Sequence, residues 1–75
     1  MRKVEDGIVM NDPGIAETYQ HDYIVVEVKP NKLYKPLWLC DNYKEASKCS
    51  YSINGMDTMV IPGMKRMSEI FGTLT

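Results

Sequence analysis

One histidine, His21, and two cysteines, Cys40 and Cys49, are all the imidazole and thiol that these 75 residues hold. That scarcity excludes most metal centres, because a zinc site needs three or four converging ligands and usually pairs them closely, as in C-x₂₋₄-C. The spacing from Cys40 to Cys49 is C-x₈-C, which offers no such pair. A thiol–imidazole pair would need an activated cysteine, and Cys49 falls in the middle of an expected helix. There the helix dipole does not lower its pKa. A glycine-rich phosphate loop is absent too: Gly55 and Gly63 stand apart as turn residues. Asp41 and Glu45 sit at a helix start, where acids cap and solvate. The expectation is a non-enzyme with no catalytic residues, no metal and no cofactor.

Long apolar runs are also missing. No stretch approaches the 18 or so residues that a membrane span requires, so no membrane association is expected. Glu5 and Asp6 follow the basic Arg2 and Lys3, where a secretory signal would need an apolar segment. The chain is expected to be cytoplasmic, with both cysteines kept as free thiols.

An excess of one charge is lacking as well. The net charge is −1 and the pI about 5.7, which argues against a general polyanion binder. The distribution is uneven, however. Residues 1–28 carry a net −4, residues 29–48 a net +3, and residues 49–75 balance.

The apolar pattern that is present changes period along the chain, which marks an α+β fold. Residues 4–10 read as a short strand ended by the turn Asn11-Asp12-Pro13-Gly14. Residues 15–22 read as an irregular or strand-like return, although Asp12 and Pro13 would suit a helix start. Tyr23 to Lys29 alternates strongly, with Ile24, Val26 and Val28 on one face. Pro30-Asn31-Lys32 turns into a second strand, Leu33 to Cys40, to form an antiparallel hairpin. Simple alternation sets Leu33, Leu37 and Leu39 opposite Tyr34, Trp38 and Cys40, and Pro36 marks an edge or a bulge.

Asn42 and Glu45 form an Asn version of a capping box, opening a helix over 42–54. Tyr43, Ala46, Cys49 and Ile53 line one face of that helix, and Asn54-Gly55 stops it. A strand over 56–61 follows. Met64, Met67, Ile70 and Phe71 then share helical spacing before Gly72. The expected architecture is one domain over 1–75. It has an antiparallel or mixed sheet of three to four strands, covered by the main helix and a short C-terminal helix.

Two candidate partner-binding surfaces emerge. Lys32, Tyr34, Lys35, Trp38, Tyr43 and Lys44, with Lys29 and Lys48, would interleave rings with lysines if Tyr34 and Trp38 shared the outer hairpin face. That arrangement stacks bases and tracks phosphates. The plainer reading makes these lysines the solvated guard of a strand edge, and the shortage of arginine favours it. The second surface is the methionine set Met56, Met59, Met64 and Met67. Methionine adapts to irregular partner surfaces, but in so small a chain most of these residues are expected in the core. Five tyrosines against one phenylalanine suit a half-wet interface. The first expectation is therefore a protein-binding module, an inhibitor, adaptor or regulator of the kind that phages and mobile elements encode as accessory factors. The alternative is a nucleic-acid-binding module using the lysine–aromatic hairpin. A homo-oligomer is compatible with either.

Overall fold

The computed structural model describes residues 1–71, with side chains described through Glu69. In chain order the elements are β1 (Arg2–Lys3), β2 (Met10–Asn11), α1 (Asp12–Thr18), β3 (Tyr23–Lys29), a 3₁₀ turn (Pro30–Lys32), β4 (Leu33–Cys40), α2 (Tyr43–Ser52), β5 (Thr58–Pro62) and α3 (Met67–Phe71). They form an α+β fold around a five-stranded sheet of order β1-β4-β3-β5, with β2 also on β4. All the pairings are antiparallel. Two of the five strands are only two residues long, which accounts for the difference from the three or four expected.

The β3–β4 hairpin forms as its alternation predicts. Asn31 and Lys32 both take left-handed φ, 63° and 58°, to close the turn. Asn tolerates that region; Lys adopts it less readily. Pro36 sits at a bulge: Val25 faces Trp38 and Val26 faces Pro36, leaving Leu37 as the extra residue. The partner on the other side of β4 breaks at the same place. β1 faces Leu39 and Trp38, β2 faces Tyr34 and Leu33, Val4 donates its N–H to the Leu37 carbonyl at 2.9 Å, and residues 5–9 loop out between them. The expected strand over 4–10 is thus corrected: its ends pair and its middle does not. Gly7 lies where a Cβ would press on the Pro36 carbonyl, 2.6 Å away. Asp6 turns the loop with φ 52°.

The stretch read as a turn and strand-like return is a helix, α1. Asn11 is its N-cap and accepts from the Gly14 N–H at 2.9 Å, while Pro13 takes an early helical position that needs no donor. Asp12 is helical, not the cap. α1 buries Ile15 and Ala16 on Ile24, Val26 and Ile61, with Met10, Tyr19, Tyr34 and Leu39 around them. α2 covers the opposite face, where Ala46 packs on Tyr23, Val25 and Cys40, flanked by Trp38, Cys49, Ile53 and Val60. Both faces of the sheet are covered, one by α1 and the other by α2.

Topology explains why the two helices part. β2–α1–β3 and β4–α2–β5 each join parallel strands across one intervening strand, stepping the same way along the sheet. Their starting strands point in opposite directions. A common handedness for both crossovers then places the helices on opposite faces.

The main helix is shorter than 42–54. Asn42 caps it by accepting from the Glu45 N–H at 2.8 Å, and Ile53 ends it in an extended conformation. The reciprocal half of the capping box is replaced: the Glu45 carboxylate meets the amino group of Met1 at 3.1 Å. The last strand shifts from 56–61 to Thr58–Pro62. The expected C-terminal helix is present, but the expected apolar roles of Ile70 and Phe71 and the stop at Gly72 lie outside the described residues.

Candidate functional site

Cys40 is fully buried beneath α2, and burial pushes its thiol up to about 11. Cys49, half-buried in the same cluster, is raised by burial as well, with Cys40 beside it acting the other way. Both thiols are therefore protonated at neutral pH, the opposite of an activated nucleophile. His21 is exposed. Among the described residues, no three metal-ligating side chains converge.

The lysine–aromatic surface does not assemble. The extra residue at Leu37 reverses the side-chain phase of β4, so Tyr34 faces the α1 cluster and Trp38 the α2 cluster. Each ring is half-buried in a different layer. The lysines separate as well. Lys32 lies in the hairpin turn, whereas Tyr43 and Lys44 follow the far end of β4, about 20 Å away at 3.3 Å per strand residue. Lys29 is engaged with Glu27 at 3.3 Å. Tyr43 meets Tyr23 edge-on, centroids 6.0 Å apart. Lys35 instead borders an open depression of about 330 Å³ with Lys3, Glu5 and Asp6, where charges of both signs mix.

The methionines do assemble in part, but on the surface. Met56, Met59, Met64 and Met67 are all exposed, between 41% and 43%, which corrects their expected place in the core. The apolar groups of α1, Ile24, Val26 and Ile61 already fill that space. Met64 and Met67 line a groove of about 220 Å³ with Pro13 and Ala16 of α1, and Asp12 and Glu17 stand at its side.

Several contacts hold this groove in shape. Met64 donates its backbone N–H to the Ala16 carbonyl and Lys65 donates to that of Gln20, both at 2.9 Å. Gly63 makes the approach possible, since a Cβ there would overlap the carbonyls of Tyr19 and Gln20. Beyond it, Arg66 donates from Nε to the His21 carbonyl at 2.7 Å and from Nη1 to both Glu69 oxygens at 3.0 Å. Tyr23 donates its hydroxyl to Glu69 Oε2 at 2.7 Å, and the Arg66 guanidinium lies 5.7 Å from the Tyr23 ring centroid. The Tyr23 hydroxyl and then Arg66 hold the Glu69 carboxyl below its usual range. This knot fixes the start of α3, and with it Met67. The sequence carries one hint of it, the i,i+3 spacing of Arg66 and Glu69.

The groove is smaller than the roughly 300–1,000 Å³ of ordinary small-molecule sites. Its volume is that of one or two large side chains. Neither a protein-family model, nor a curated protein, nor a solved structure matches this chain. No helix among the described residues is long and apolar enough to cross a membrane.

Proposed function

We propose that this chain is a non-catalytic protein-binding module that docks an amphipathic, basic segment of a partner protein. It acts as a cytoplasmic inhibitor, adaptor or regulator, in the manner of phage accessory factors, by occupying the partner's surface. The groove between α1 and Met64–Met67 carries the reading: two exposed methionines and Pro13 offer an adaptable apolar floor. Asp12 and Glu17 beside it favour a partner that flanks its apolar anchor with Lys or Arg. The acidic balance of residues 1–28 supports the same sign of charge.

The test is affinity capture from the source lysate, with and without nuclease, using wild type and Met64→Asp/Met67→Asp. Both side chains are exposed, so the double substitution leaves the core intact. A protein retained by wild type, lost with the double variant and indifferent to nuclease supports the groove. Retention that survives the double substitution, or that nuclease abolishes, overturns it.

A further inference from the structure

We infer that a second copy of this chain pairs with β5 through an antiparallel, two-fold strand contact centred on Val60. The sheet's two edges are built differently. On one side β4 is covered by β1 and β2, two-residue pieces broken by the loop 5–9 and carrying Arg2 and Lys3. Shortness, interruption and cationic side chains are the usual protection of an edge. Among the described residues the other edge has less of it, with Pro62 at its end as the one edge-blunting residue. β5 pairs with β3 in regular register from Thr58 to Pro62, with no bulge, and no charged residue occurs from Thr58 to Met64.

The hydrogen-bond phase of β5 follows from its flanks. Val28 donates to the Asp57 carbonyl at 2.9 Å and Gly63 donates to the Asp22 carbonyl at 2.8 Å. Antiparallel pairing alternates, so Met59 and Ile61 also turn their backbone groups toward β3. Thr58, Val60 and Pro62 turn theirs outward. Pro62 has no donor, so its place on the outward phase leaves no bond with β3 unmade. An antiparallel copy centred on Val60 sets Val60 against its counterpart and Thr58 against the copy's Pro62. The two Val60 residues exchange N–H and carbonyl, and each Thr58 donates to a Pro62 carbonyl. The missing proline donors therefore fall where the pairing ends.

Side chains and charge fit a second copy. Met56 and Met59, exposed beside the edge, would be shielded on pairing. Asp57 precedes β5, and the exposed Lys65 follows it. A two-fold antiparallel contact brings the start of one β5 to the end of the other, hence Asp57 toward the copy's Lys65. A parallel contact would align like with like. Five strand residues are a small interface beside the roughly 1,200–2,000 Å² of stable complexes, so the pairing is reversible and concentration-dependent. It is independent of the groove between α1 and Met64–Met67.

Sedimentation equilibrium over a range of protein concentrations tests this, with amide exchange as the local probe. Wild type is expected to pass from 8.6 kDa to twice that mass. The Thr58 and Val60 amides should exchange more slowly as concentration rises, while those of Met59 and Ile61 stay unchanged. Met59→Lys adds a charge at an exposed position, and Val60→Pro deletes an outward donor. Each should remain folded by circular dichroism yet stay monomeric. A wild type that is monomeric at millimolar concentration overturns the inference. So does a dimer that persists in both variants, or one in which the Thr58 and Val60 amides stay unprotected.

Discussion

Tyr23 sits where three segments meet. Its ring lies in the core under α2 and packs edge-to-face with Tyr43, and its hydroxyl reaches Glu69 in the C-terminal helix. Burial first, and then the hydrogen bond to Glu69, raises its pKa. Cys40 is shifted the same way. For both groups the folded pKa exceeds the unfolded one, so unfolding releases protons at alkaline pH. For Cys40 that stabilisation is complete below the unfolded-thiol value of 9.0 and is lost as pH rises toward about 11; for Tyr23 it is complete below the unfolded-phenol value of 10.0 and is lost above it. Urea midpoints recorded across that range should fall steadily. Tyr23→Phe should cost about 1 kcal/mol at neutral pH and make the alkaline fall shallower. A flat alkaline profile would mean that the thiol and phenol are not buried as described.

At the scale of the element, α1 is the instructive case. Seven residues do not make a stable helix alone, because nucleation costs more than so few hydrogen bonds return. Its existence depends on the sheet beneath Ile15 and Ala16 and on its cap. Asn11→Ala should therefore lower stability by about 1 kcal/mol. Asp12→Ala, one residue on, removes a first-turn charge but no cap hydrogen bond and should cost only about 0.5 kcal/mol. Chemical denaturation of the two variants checks the cap directly, and equal costs would move it to Asp12. The hairpin needed no such help: Tyr23–Lys29 and Leu33–Cys40 were legible in full from alternation and a three-residue turn. The same alternation misplaced Trp38, because a bulge adds one residue that no period reveals.

Taken whole, the molecule has two thin cores back to back, sharing β3. Ile24 and Val26 serve the α1 side, while Tyr23 and Val25 serve the α2 side. Neither layer can keep its side of the strand if the other lets go. Ile24→Ala should cost about 2–5 kcal/mol, the usual range for a large aliphatic side chain removed from a core. Trp38 lies on the opposite face from Ile24, so its fluorescence should report the same lowered midpoint as far-UV circular dichroism. Two separated transitions would show that the layers unfold independently.

Local chemistry was enough for the sequence by itself to determine the hairpin, the Asn42 cap, the helix that follows and the shortage of reactive groups. The candidate site was half legible. Met64 and Met67 were visible as an adaptable pair, but their neighbours Pro13 and Ala16 lie some fifty residues away along the chain. Tertiary structure alone decided that α1 is a helix, that Tyr34 and Trp38 part company, and that the methionines stay outside. The reason is common to all three. Each depends on which surface is already occupied, and that is settled only when distant segments compete for the two faces of one small sheet.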